Sequence, residues 1–253
     1  MIKLLPLIAL LGATSSMAAT ITFQAGVNGY DHLGIDIREN GSASVLEILV
    51  GYQSGPTNNH EMRGLLSFSL ASIPAGSTID SITLTMTSNG NQSGNIAGVG
   101  TINLHEIIPN GVAANNFSEA ASDWDTWGNS GTGVPWNNPG GDFGSVLTTG
   151  TLSGPGADAT KLDPGETATF STSASFVAAA QAALNAGLPL EMILIAPTAE
   201  ANTAASNFFR FRSDDNADTG TRPLLTINYT IPEPTSALLA LVAGIPFIAR
   251  RRR

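Results

Sequence analysis

The sequence predicts an all-β domain, an antiparallel β-sandwich carrying one short helix. Apolar residues recur at every second position in several short runs: Ile82, Leu84 and Met86 alternate with Thr83 and Thr85, the period of a strand with one buried face. With 27 Gly and 14 Pro in 253 residues, and abundant Ser, Thr and Asn, turns punctuate the chain throughout. Between two end segments lie roughly 210 residues, a length that suits one sandwich domain.

Taken in order, the strand candidates are residues 45–52, 65–70, 79–86, 101–108, 168–171, 190–196, 207–213 and 224–229. In the seventh, Phe209 and Phe211 alternate with Arg210 and Arg212, so one face is apolar and the other cationic. The helix is expected over 174–186. It is rich in alanine, Ser173 or Ser175 can cap its start, and Gly187 sits where a C-terminal cap belongs. Phe176, Val177, Ala180 and Leu184 share one of its faces and should pack on the sheets. Residues 128–156 read as a long glycine-rich loop region.

Both ends read as addresses. Residues 1–18 have the form of a secretory signal peptide: Lys3, an apolar run from Leu4 to Leu11, then small residues at Ser16 and Ala18, with cleavage expected at Ala18 or Ala19. At the other end, 231–253 open with Pro232-Glu233-Pro234, continue through an apolar run over 237–249 and finish on Arg250 to Arg253. The arginines orient the tail with the body outside. Thirteen apolar residues fall short of the roughly 20 that span a bilayer, and Gly244 and Pro246 weaken the helix further. The tail suits a transient handle better than a permanent anchor.

This tail resembles the sorting domain of PEP-CTERM proteins of Gram-negative bacteria, with Pro232, Glu233 and Pro234 on its tripeptide. The resemblance implies an exosortase, an integral-membrane cysteine protease or transpeptidase, as partner. It also implies transient attachment to the inner membrane and association with the cell surface or extracellular polysaccharide. The body, over 20–230, is similar to the DNRLRE-domain family of exported jelly-roll β-sandwiches, without that six-letter string itself. The similarity is carried by Arg63-Gly64-Leu65-Leu66 with Ile73-Pro74-Ala75-Gly76, by Leu104-His105, by Trp124, Trp127, Trp136 and Gly140-Gly141-Asp142-Phe143, and by Arg222-Pro223-Leu224-Leu225. It implies a jelly-roll-like antiparallel β-sandwich with one short helix, and a module of the kind that in some relatives binds carbohydrate.

Three constellations bear on chemistry. Trp124, Trp127 and Trp136 lie among Asp123, Asp125, Asn129, Asn137 and Asn138. Sugar C–H faces stack on indoles while Asp and Asn meet hydroxyls, so these are the candidate carbohydrate-binding residues; the alternative is that the tryptophans plug one end of the sandwich. Asp214, Asn216 and Asp218 have the alternate oxygen spacing of the first half of a calcium loop. They form the candidate Ca2+ site, although Gly220 comes one place late, Leu225 stands where the bidentate acid belongs, and turn chemistry explains the same residues. Arg210 and Arg212, with Arg63 and Arg222, form a candidate acid-binding face that neighbouring carboxylates can equally neutralise.

Enzyme motifs are missing. His60-Glu61 and His105-Glu106 begin like a zinc-protease helix, but Gly64 and Pro109 stand where the second histidine belongs. Asp123 and Asp125 are the closest approach to a glycosidase pair. Between the end segments six basic and nineteen acidic residues give a net charge of −13, which repels polyphosphate and argues against nucleic acid as a partner. There is no cysteine, so stability must come from packing. The expectation is an exported, non-catalytic surface or extracellular-matrix protein, cleaved at its tail and binding carbohydrate. The alternative is a glycoside-active hydrolase or lyase on a β-sandwich scaffold.

Overall fold

A computed structural model describes residues 16–41, 46–55, 59–93, 100–108, 122–127, 134–154 and 162–232. They form thirteen strands: β1 (Ser16–Phe23), β2 (Leu33–Arg38), β3 (Glu47–Gln53), β4 (His60–Phe68), β5 (Thr78–Ser93), β6 (Asn103–Ile107), β7 (Thr126–Trp127), β8 (Val134–Pro135), β9 (Phe143–Ser153), β10 (Thr167–Phe170), β11 (Leu190–Ile195), β12 (Asn207–Arg212) and β13 (Leu224–Pro232). Two helices join them, α1 (Ala174–Ala186) and α2 (Pro197–Ala201). The all-β class is as expected. Among the described residues no helix is long and apolar enough to cross a membrane. Most of residues 1–18, and everything after Pro232, lie outside the described residues.

Eight strands close into an antiparallel ring in the order β5, β10, β9, β6, β11, β4, β3, β12 and back to β5. Closure depends on the length of β5. Its first part pairs with β13 and β10, and Ser88 onward pairs with β12. The second long strand, β9, divides its pairing in the same way, to β6 along 143–149 and to β10 along 150–153. Outside the ring, β13 and then β1 continue the sheet from β5, and β2 lies on β4.

The alternating residues predicted from sequence point into the ring. Ile82, Leu84 and Met86 meet Leu66, Phe68, Met192, Leu194, Phe209 and Phe211 there, all inaccessible to water. Each such side chain contributes roughly 1.5–3 kcal/mol by leaving solvent. Helix α1 has the expected bounds because its ends are set locally. The Ser173 hydroxyl accepts from the Phe176 N–H, and Gly187, at φ 66°, donates back to Leu184 and ends the helix. Phe176, Ala179 and Ala180 are its buried residues.

Several elements depart from the sequence reading, among them the short β7, β8 and α2. The glycine-rich stretch 128–156 contains β9, a strand of 11 residues rather than loop. Its burial is nearly all partial or absent, Leu147 being its one buried hydrophobic residue, so no apolar alternation announces it. β1 and β2 were not foreseen either, although Leu33, Ile35 and Ile37 alternate with Gly34, Asp36 and Arg38 at the period of a strand.

Where β1 turns toward β2, His32 is buried, stacked 4.5 Å from the ring of Phe68, and its Nδ1 accepts from the Ala25 N–H. Burial, reinforced by the charge of Arg222, lowers its pKa from the ordinary 6.5 to about 3. A histidine with a depressed folded pKa binds its proton more readily when unfolded, so it favours folding above 6.5 and loses that contribution as pH falls toward 3. At pH 5 the loss should reach about 2 kcal/mol. Urea midpoints at pH 7 and pH 5 should therefore fall further for the native chain than for His32→Gln. Equal falls would mean His32 is not held neutral.

Candidate functional site

The outer surface of β2, β4, β6 and β11 carries a second, smaller core. Ile35 and Ile37 from β2, Leu65 from β4, Ile107 from β6, and Ile193 and Ile195 from β11 pack with Trp124 and Trp136. In β4, β6 and β11 these positions alternate with those lining the ring interior, so β4 and β11 carry apolar side chains on both faces, whereas the other positions of β2 are Gly34 and Asp36. The segment around β7 and β8, which pair with each other, folds over this face. Trp124 and Trp136 are 8% and 6% exposed. Neither offers an open platform to a sugar ring. The side chain of Trp127 lies outside what the structure describes.

Polar groups hold this cover in place. The Trp136 indole N–H donates to the Asp123 carbonyl at 3.1 Å. One Asp123 carboxylate oxygen accepts from the N–H groups of Asp125 and Thr126 at 2.9 and 2.6 Å, and from the Thr126 hydroxyl at 2.7 Å. Asp123 therefore organises its own turn, and Asp125 is exposed. Buried Asp142 accepts from the N–H groups of Asn137 and Asn138 at 2.8 and 3.1 Å and from the Asn138 amide at 3.1 Å. Removing that acceptor with Asp142→Ala should cost about 2 kcal/mol. It should also red-shift the tryptophan emission as water reaches Trp136. A native-like spectrum and urea midpoint would count against this role.

Arg63, at the edge of the cover, is the most connected cation among the described residues. It reaches Glu200 through Nε at 3.2 Å and Nη2 at 2.8 Å, Glu61 at 3.1 Å and the Gly140 carbonyl at 3.0 Å. Its guanidinium also lies 5.0 Å from the centre of the Trp124 ring and 5.5 Å from that of Phe143. The backbone at Gly140, with φ +88°, comes so close that a Cβ there would stand 2.6 Å from Trp124 and 2.8 Å from Arg63. Burial raises the pKa of Glu61, the Glu200 charge raises it further, and Arg63 opposes both. Beyond Arg63 the surface opens: Phe143 is 38% exposed, Val146 on β9 and Ile108 just past β6 are exposed too, and His105 packs edge-on against Phe143 at 4.9 Å.

The remaining candidates are engaged within the body. Arg210 grips Glu47 through Nε and Nη2 at 2.6 to 3.1 Å. Arg212 donates to the Thr221 hydroxyl at 2.8 Å and lies 3.5 Å from Asp218, while Arg222 donates to the Asn216 carbonyl at 2.8 Å. The candidate calcium oxygens are divided in the same way. Asp214 is buried, the Asn216 side chain accepts from the Asp218 N–H, and the Asp218 carboxylate accepts from Gly220. These are turn contacts. Among the described residues no three His, Cys, Asp or Glu side chains are grouped to hold a metal. Of the sorting motif, Pro232 ends β13, whereas Glu233 and Pro234 lie outside the described residues.

Sequence reasoning singled out Arg63 and Phe143 but not the partners that give them a setting. Glu61 stands two residues from Arg63 on β4, a spacing that places both on one face of a strand and was available as a signal. Glu200, 137 residues away, carried none. No protein-family model matches the chain, and no curated protein matches it significantly.

Proposed function

We propose that the chain is an exported, non-catalytic surface or matrix protein, made with a removable leader and a C-terminal tail that a membrane protease recognises and cuts. The observation that carries this reading is the register of β1 and β13, in which Ser16 stands opposite Pro232. The leader and the tail therefore leave the body side by side, at the ends of two adjacent strands. A body built this way can face one membrane with one corner and keep its remaining surface outward. The arginines directed at the body's own carboxylates, hydroxyls and carbonyls, and the carboxylates used for turns, support a scaffold better than a reaction centre.

The finer architecture belongs to the same reading. The ring is a jelly-roll-like sandwich pressed into two faces, and β5 and β9 are the strands that pass from one face to the other, as their divided pairing suggests. Extracellular polysaccharide is the partner, and Phe143 beside Arg63 is the exposed ring a sugar would meet, since Trp124 and Trp136 are covered.

Mass measurement of both ends of the protein recovered from a Gram-negative host tests the main claim. The expected product begins at Ala19 or Thr20 and lacks Arg250 to Arg253. An intact 253-residue chain in the cytosol would sink it. Affinity electrophoresis through a panel of polysaccharides tests the binding arm: retardation should be lost in Phe143→Ala, and free migration in every gel would remove carbohydrate from the proposal.

A further inference from the structure

The ring closes on itself, so free edges belong to the strands added outside it. β1 is the outermost of these: β13 covers one of its edges, and among the described residues no strand pairs with the other. β2, also outside the ring, is different, being buried from Gly34 to Ile37 and carrying Asp36 and Arg38. β1 lacks the devices that keep an edge from pairing with another chain. From Ser16 to Gln24 there is no charge, no proline and no glycine.

The side chains along this edge suit a further strand. Ala19, Ile21 and Phe23 share the face turned to the core. Phe23 is buried, whereas Ala19 and Ile21 are only half-buried, as is Tyr30, whose ring lies 5.0 Å from that of Phe23. Thr20 and Thr22 stand on the opposite face, both exposed. There the Thr20 hydroxyl donates to the Asn228 side chain, and the Asn228 amide donates to the Ser81 hydroxyl at 2.7 Å. The edge thus has a half-covered apolar rim on one side and a neutral polar row on the other.

We propose that β1 is the surface through which two copies of this chain pair, antiparallel, into a dimer whose sheet runs from one body into the next. A body with a net charge of −13 repels its own copy at long range, and an uncharged edge is where close approach costs least. The strand also fits itself. A two-fold axis at Ile21 sets Ile21 against Ile21 of the second copy, Thr20 against its Thr22 and Ala19 against its Phe23. Small meets large on the apolar face, and hydroxyl meets hydroxyl on the polar one. All of these positions lie on the body side of a leader cut after Ala18, so that cut leaves them in place. Pairing uses the same edge of both copies, so association stops at two and does not grow into a fibre.

Sedimentation velocity on the protein recovered from its host, between about 1 μM and about 1 mM, tests the pairing. The native chain should pass from one mass to twice that mass as concentration rises, and no further. Thr20→Lys with Thr22→Lys sets each new lysine opposite a lysine of the second copy and should weaken the dimer by about tenfold. Net charge alone would act the other way, because two lysines bring an acidic body closer to neutral. Thr20→Glu with Thr22→Lys sets glutamate opposite lysine at both rungs and should restore pairing to the native level or above. Both positions are exposed, and far-ultraviolet circular dichroism of the variants should match that of the native chain. A native chain that stays monomeric throughout would leave the edge to a segment of some other protein and overturn the proposal. So would undiminished pairing in the double-lysine variant, no recovery in the glutamate–lysine variant, or native species heavier than a dimer.

Discussion

Gly51→Ala is expected to cost roughly 5 kcal/mol, enough to leave a domain of ordinary stability largely unfolded. Gly51 has φ +136°, a region that residues with a side chain rarely enter. The more severe constraint is space. A Cβ there would stand 2.1 Å from the Asn207 carbonyl oxygen and 2.9 Å from the Phe208 Cα, both of them backbone in β12. No rotamer change relieves a clash with backbone. Gly51 pairs with Phe208 on one side and Met62 on the other, so displacing it opens the ring where β3 joins β12 to β4. Gly41→Ala is the control, since Gly41 has φ +78° and nothing within 4 Å of its added methyl. Its cost should be about 1 kcal/mol, that of the backbone conformation alone. Urea unfolding followed by far-ultraviolet circular dichroism measures both. A Gly51→Ala protein within 1 kcal/mol of the native chain would show that β3 does not hold β12 as closely as described.

Arg63→Ala should lose about 3–5 kcal/mol, because it leaves two largely covered carboxylates without their cation. The Arg63 and Glu200 side chains are only 13% and 10% exposed, and Glu61 is 33% exposed. Lysine should recover less than half of the loss. It lacks the planar fork that meets Glu200, Glu61 and the Gly140 carbonyl at once while lying over Trp124. The deficit should also depend on pH in a defined direction. Glu61 already has a raised pKa, from burial first and then from Glu200, with Arg63 as the opposing influence. Without Arg63 the folded carboxyl binds its proton more readily still, and a group with a raised folded pKa gains stability as pH falls. The gap between Arg63→Ala and the native chain should therefore be widest near neutral pH and narrow toward the range where carboxylates titrate. A gap that stayed constant on acidification would assign the loss to packing against Trp124 rather than to the ion pairs.

Much of the ring could be read from the chain because its signals are local. Ile82, Leu84 and Met86, or Phe209 and Phe211, must share a face in any strand, and all five are in the core. Helix α1 is legible in the sequence because a hydroxyl at Ser173 and a left-handed Gly187 act within one turn of their own positions. β9 lacked any such signal. It is a strand because β6 and β10 present unpaired backbone to it, a property of its neighbours and not of its own side chains.

The candidate site divides in the same way. Composition alone identified an acidic body without cysteine, and spacing alone led to the proposed terminal addresses and to the cluster of tryptophans. Whether those rings face water was a tertiary matter: β2, β4, β6 and β11 present a second apolar face outside the ring, and Trp124 and Trp136 cover it. The pairing of Arg63 with Glu200, and of Ser16 with Pro232, likewise joins residues 137 and 216 positions apart. Periodicity and caps act through the few residues on either side of a position, so sequence determines them. Contacts across the ring depend on how the whole chain closes, and only the folded structure decides which side chain meets which.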